Sequence, residues 1–168
     1  MYTNNDRQLL IHLDPPDRYA NYENQLDGSI YKRFTQSDPC LLHVQGLTTI
    51  SKIRVHFYLP DSASNHIPEP INGTNDTRIH LYCHDEDSLR TNKASYPGNA
   101  IYKIFLENSL KFYIDYSQIE LMYQLKRQHS QGSLEENQWA NLGRRHISSL
   151  RNLFQQHRDA QLSEEAQD

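Results

Sequence analysis

Two five-residue segments, Arg54-Val55-His56-Phe57-Tyr58 and Arg78-Ile79-His80-Leu81-Tyr82, hold the residues whose types and spacing could do chemistry. Each reads Arg, apolar, His, apolar, Tyr, and the two lie 24 positions apart. On a strand, successive side chains point to opposite faces. Ile53, Val55, Phe57 and Leu59, with Ile79, Leu81 and Cys83, would form an apolar row on one side. Arg54, His56, Tyr58, Arg78, His80 and Tyr82 would share the other. Paired antiparallel and in register, His56 would face His80, and Arg54 and Tyr58 would face Tyr82 and Arg78. Arg offers a planar fork for phosphate or carboxylate, and Tyr and His can stack on bases. These six residues are the ligand-binding candidates, for a phosphate group or single-stranded nucleic acid. The plainer alternative is a solvated face, or one covered by helices with Tyr rings and Arg stems as packing. Like charges would hold at least one of the two histidines below the ~6.5 of a free imidazole.

Other groupings are weaker. His80, Cys83, His84, Asp85 and Asp87 are ligand types, but on a strand Cys83 points away from His80 and His84, and no second cluster completes a closed site. No metal is expected, and Asp85-Glu86-Asp87 reads as a solvated loop. Facing strands with two His-x-Ser/Thr motifs mark the two-histidine phosphoesterases, which His56-Phe57-Tyr58 and His80-Leu81-Tyr82 resemble only in the histidine. Tyr at the third position and the short spacing leave a His-dependent hydrolase on this face as the remotest reading. No nucleophile elbow, phosphate loop or dinucleotide fingerprint occurs, so no catalytic residue is assigned and no cofactor is expected.

The elements that must position these residues follow from pattern. Residues 7–13 read as a strand stopped by Asp14-Pro15-Pro16, and residues 17–26 carry Tyr19, Tyr22 and Leu26 at helical spacing. Ser29–Phe34, Cys40–Val44 and Thr48–Leu59 read as strands, and residues 60–77 as a Pro-rich loop. Ile101–Leu106 and Leu110–Tyr116 read as a hairpin around Glu107-Asn108-Ser109, with one long helix as the alternative. Ser117-Gln118-Ile119-Glu120 and Ser133-Leu134-Glu135-Glu136 are capping boxes for two helices, the second reaching about Gln161. Trp139, Ala140, Gly143, Ile147, Leu150, Phe154 and His157 form its near-heptad seam. The expected architecture is α+β: an antiparallel sheet of about six or seven strands, then a C-terminal pair of helices packed on one face. Residues 1–168 are expected to form a single domain, with a β-rich part 7–116, a helical part 117–161 and a frayed tail 162–168. Strands closed by a helix resemble the element order of pleckstrin-homology-like barrels, without a sequence signature.

The totals restrict function. Seventeen basic and 21 acidic residues give a net charge of −4, which argues against nonspecific duplex binding. No run approaches the ~18 apolar residues of a membrane span, and the N-terminus lacks a basic head and apolar stretch. A cytoplasmic setting is expected, with Cys40 and Cys83 as small buried hydrophobes rather than a disulfide. Arg144, Arg151 and Arg158 recur every seven residues beside the seam and, with Trp139, are the partner-binding candidates. Leu162–Asp168 resembles the glutamate-rich C-terminal signals of type IV-secreted bacterial effectors, which would imply translocation. The leading expectation is a small interaction module without its own catalysis, an adaptor, inhibitor or regulatory subunit whose partner is another protein.

Overall fold

A computed structural model describes residues 9–50, 54–67, 77–96 and 101–165, with the backbone alone described at 48–50, 66 and 156–165. The chain divides into two compact units, Met1–Lys111 and Phe112–Asp168.

The described residues of the first unit build one sheet of five strands: β1 Leu10–Leu13, β2 Tyr31–Phe34, β3 Val55–Pro60, β4 Thr77–Cys83 and β5 Lys103–Leu106. Every pairing is parallel, in the order β2-β1-β3-β4-β5. This overturns the expected antiparallel sheet of six or seven strands. The physical reason is burial. All six residues of β3 and the last five of β4 are buried, so both faces of the central strands are covered, as a parallel sheet requires. Of the alternatives for the polar row, solvated, covered or open for binding, the structure shows a covered one at His56, Tyr58, His80 and Tyr82.

The alternation itself holds in the register. Val55, Phe57 and Leu59 lie level with Thr77, Ile79 and Leu81, and His56 and Tyr58 with Arg78 and His80. Two helices cover the apolar face. One, α2 (Ser37–Ile50), places His43 on Phe34 with ring centroids 5.3 Å apart. The other, α3 (Glu86–Ser95), brings Asn92 Nδ2 within 3.8 Å of Cys83 Sγ. A four-residue helix, α1 (Tyr22–Gln25), lies in the crossover from β1 to β2 and buries Tyr22.

Several expected elements change identity. Cys40–Val44 lies inside α2 rather than in a strand, because Cys40, Val44 and Leu47 are buried at helical spacing. Pro39 sits in the first turn, where no N–H is needed. Thr48–Ile50 also belongs to α2, and β3 starts only at Val55. Asp85-Glu86-Asp87 is a helix start, not a loop. Asp85 accepts the Ser88 N–H at 2.7 Å, and the acids of the first turn complement the α3 dipole. Asp61–His66 is a 3₁₀ turn at the start of the supposed loop. The hairpin at 101–116 is replaced by β5, a 3₁₀ turn at Glu107–Ser109, and α4 (Leu110–Arg127). Arg7, Gln8, Ile53, residues 68–76 of the Pro-rich loop and the last three residues of the tail lie outside the described residues.

The second unit is a helical hairpin of α4, from Phe112 onward, and α5 (Leu134–Glu165). Ser117-Gln118-Ile119-Glu120 falls mid-helix with Ser117 buried, so it caps nothing. Ser133 does cap α5, accepting the Glu136 N–H at 3.1 Å, while Glu136 takes the Gly132 N–H instead of that of Ser133. Gly132 has φ +80°, a left-handed turn that favours glycine. Phe112 meets Phe154 edge-on at 4.7 Å, and Gln118 reaches His146 at 2.9 Å, so the helices run antiparallel. Trp139 is buried, but Ile147 and Phe154 are 42% and 55% exposed. The seam is closed only in its first half.

Candidate functional site

The face of the sheet opposite α2 and α3 is a layer of imidazole and phenol rings. His12 in β1 lies level with Tyr58 in β3, which lies level with His80 in β4. His12 Nδ1 is 2.9 Å from Tyr31 Oη and its Nε2 is 3.2 Å from Tyr82 Oη. Tyr82 donates its single hydroxyl proton to the Leu13 carbonyl at 3.0 Å. The His12 Nε2–H must therefore donate to Tyr82, and Nδ1 accepts from Tyr31, a complete assignment for a neutral ring. Burial, then Arg33, pushes the His12 pKa down to about 3, in keeping with that neutrality.

His56 and His80 do meet, but diagonally. His56 lies level with Arg78, and the residue beside His80 is Tyr58, stacked on it at 4.2 Å and 7°. His56 Nδ1 is 3.0 Å from His80 Nε2, a separation that holds one shared proton. His80 is held well below its ordinary pKa by burial first, and then by His56, Lys103 and Arg78. Arg78 lies over the Tyr102 ring at 4.1 Å. His56, Tyr58, His80 and Tyr82 are at most 2% exposed, so the face gathered by the sequence pattern is core rather than an open surface. Arg54 precedes β3 and is half-buried. Of the six candidates, Tyr82 lines a cleft. On α5, Arg144 and Arg151 are exposed, and Arg144 bonds Asn141. Arg158 is described by its backbone alone.

That cleft is made by the next row of the same face. Asp14 stands two residues beyond His12, Pro60 two beyond Tyr58, His84 two beyond Tyr82, and Glu107 two beyond Phe105. Asp14, His84 and Glu107 extend the polar row one residue past the carboxyl ends of β1, β4 and β5, and Pro60 ends β3. A crevice of about 220 Å³ opens there, bounded by Arg18, Asp61, Ser62, Tyr82, His84 and Glu107. Open parallel sheets bind ligands outside the carboxyl ends of their strands, near the point where the strand order reverses. Here the order reverses between β1 and β3, and the crevice runs from that point across the ends of β3, β4 and β5.

Glu107 is the hub. Its carboxylate accepts the Tyr19 hydroxyl, pairs with the Arg18 guanidinium, and lies 3.3 Å from His84 Nδ1. Burial alone would raise the Glu107 pKa, but the Tyr19, His84 and Arg18 contacts outweigh it and hold the group below the ordinary value. Tyr19, raised by burial and then by Glu107, remains a donor. His84 is 73% exposed on its side chain, against 16% for Glu107. An Nδ1–H given to the carboxylate leaves Nε2 turned toward solvent, the arrangement of a proton-transfer group oriented by a second residue.

Asp14 delivers Arg18 and Tyr19 to that hub. Its carboxylate is fully buried and accepts the backbone N–H of Arg18 at 3.1 Å and of Tyr19 at 2.8 Å. Arg33 balances its charge at 3.2 Å and also pairs with Asp17 and with Glu23. Asp17 takes φ 55°, the left-handed turn that returns the chain. With His84 neutral, the crevice holds one cation, Arg18, already taken by Glu107, and two carboxylates, Asp61 and Glu107. Two like charges 4 Å apart repel by about 4 kcal/mol at an effective dielectric of ~20, so a free phosphate is disfavoured here.

The sequence pattern missed Arg18, Asp61 and Glu107. Glu107, expected in a hairpin turn, directly follows the apolar run Ile104–Leu106 that ends β5. His84 was weighed only as a metal ligand, and no group of three or more metal-ligating side chains occurs among the described residues. Cys40 and Cys83 are free, buried thiols, in line with expectation. No helix among the described residues is long and apolar enough to cross a membrane. Comparison with known protein families, curated proteins and solved structures returns no match to this chain.

Proposed function

We propose that this chain is a small-ligand-binding protein whose site is the crevice at the carboxyl ends of β3, β4 and β5, and that His84, aimed by Glu107, transfers a proton there. One observation carries the reading. Arg18, Tyr19 and His84, drawn from two separate segments, converge on the Glu107 carboxylate at the edge where open parallel sheets take ligands. The phosphate or single-stranded nucleic-acid reading has less support, because the rings that would stack on bases are internal. The test is ligand-observed NMR of the full chain against mixtures of small metabolites. Binders are expected that lose signal with Glu107→Gln and His84→Gln, both variants keeping the far-ultraviolet circular dichroism of the parent. Binders held equally by all three proteins, or none at all, would overturn the proposal.

A second reading, docking on another protein, is favoured by Ile147 and Phe154, which stand exposed on α5 with Leu134 at 70%. Large exposed apolar side chains are what a partner covers. Its test is affinity capture with the parent and with the Ile147→Asp, Phe154→Asp pair. A partner held by the first and lost by the second supports it, and identical capture removes it.

A further inference from the structure

We infer that the crevice takes a neutral, hydroxyl-bearing ring of the sugar type, recognised by carboxylates rather than by cations. The inference rests on the crevice being a ligand site and adds the class of ligand.

Charge decides against the alternatives. Arg18 spends its guanidinium on Glu107, and Asp61 stands in the same lining, so an incoming anion meets a carboxylate without a released cation to hold it. A cation fares no better, because the same lining carries the Arg18 guanidinium. What the lining does offer is acceptors and donors for hydroxyls. Asp61 is fixed by the Ser62 N–H, donated to its Oδ1 at 2.8 Å, and the Ser62 hydroxyl and the His84 ring complete a mixed set. A carboxylate accepts from hydroxyls through charge-assisted bonds and needs no opposite charge on the ligand.

Size agrees. Pockets for drug-sized ligands run to roughly 300–1,000 Å³, and this crevice, at about 220 Å³, suits a single ring.

The experiment is saturation-transfer NMR on the full chain with D-ribose, D-glucose, inorganic phosphate and choline, each alone, followed by competition. At least one sugar is expected to bind at millimolar concentration, and binding is expected to weaken at least tenfold in Asp61→Asn and in Glu107→Gln. Phosphate and choline are expected to leave the sugar signal unchanged. Phosphate or choline binding that Glu107→Gln abolishes, with no sugar bound, would overturn the ligand class and leave the crevice as the site. Sugar binding unchanged in Asp61→Asn would also overturn it. If none of the four probes binds while the metabolite mixtures yield a Glu107-dependent ligand of another class, the ligand class falls and the site stands. If the mixtures are silent as well, both fall.

Discussion

His84 Nδ1 lies 3.3 Å from Glu107 Oε2, and each residue stands two positions beyond a buried ring of its own strand, Tyr82 in β4 and Phe105 in β5. One sheet face thus carries the molecule from core to site. Within β1, β3 and β4 its row carries the buried rings of His12, His56, Tyr58, His80 and Tyr82; one step past three of the strand ends, at Asp14, His84 and Glu107, it becomes charged. The rigid part orients the reactive part, since Glu107 and His84 begin where paired strands end.

Acid should destabilise the first unit from about pH 6.5 downward, above the carboxylate range. His12 is held down to about 3 by burial and then Arg33, and His80 well below 6.5 by burial and then its cationic neighbours. Both stay neutral when folded, while the unfolded chain protonates them near 6.5. Stability is therefore fully present above that value and is lost as pH falls toward the folded pKa values. Each group contributes about 1.4 kcal/mol per pH unit in that window, so roughly 2–4 kcal/mol should be lost by pH 5. Urea midpoints at pH 7.5, 6 and 5 measure it, and a flat series would contradict the buried neutral rings.

Asp14→Ala should destabilise the first unit by about 2–4 kcal/mol. It removes a buried carboxylate that accepts two backbone N–H groups and the Arg33 guanidinium. The lower part of the range for a broken buried pair applies because Arg33 keeps Asp17 and Glu23. Asp17→Ala, on an exposed carboxylate, should cost under about 1 kcal/mol. Equal losses in the two variants would remove Asp14 as the anchor of the loop.

These two cases show what was legible in the sequence and what was not. The division of β3 and β4 into an apolar and a polar row was readable, because a period of two is fixed by strand geometry whatever the partners. Direction was not. Parallel strands buried on both faces usually read as unbroken apolar runs, and here His56, Tyr58, His80 and Tyr82 break the run while lying inside. Their partners, such as His12 and Leu13 for Tyr82, come from residues distant in the sequence, so a polar row inside the molecule could not be told from an open one. α2 was hidden because Cys40-Leu41-Leu42 looks like a short apolar run, although Leu42 is 70% exposed and the buried spacing is Cys40, Val44, Leu47. α3 was hidden for the opposite reason: it buries no residue fully and offers no periodic apolar signal. The Ser133 cap was legible because capping is local. The site was not, since Arg18, Asp61, His84 and Glu107 come together only through the sheet order.

Substitutions on α5 should separate its two halves. Trp139→Ala, at a buried position, should cost about 2–4 kcal/mol, whereas Ile147→Asp and Phe154→Asp, at exposed ones, should each cost under about 1 kcal/mol. Thermal unfolding of the three variants checks this. A large loss at Ile147 would mean that the seam is closed along its length.

Both thiols should react slowly. Burial raises Cys40 to about 12, and burial with Asp61 and Asp85 raises Cys83 to about 11, so little thiolate exists at neutral pH. Iodoacetamide labelling followed by mass spectrometry at pH 7.5 should modify neither within an hour without denaturant. Rapid labelling of Cys83 would show that the end of β4 opens.

The gathering of Arg18, Tyr19 and His84 on Glu107 is tested most directly by the tautomer of His84. An ionised carboxylate at Nδ1 can only accept, so the neutral ring must carry its proton on Nδ1 and leave Nε2 bare toward the crevice. Long-range ¹H–¹⁵N correlation spectra of the His84 ring at pH 8 report this. The Nδ1–H form is predicted in the parent chain, reverting toward Nε2–H in Glu107→Gln. An Nε2–H ring in the parent, unchanged by Glu107→Gln, would contradict the account.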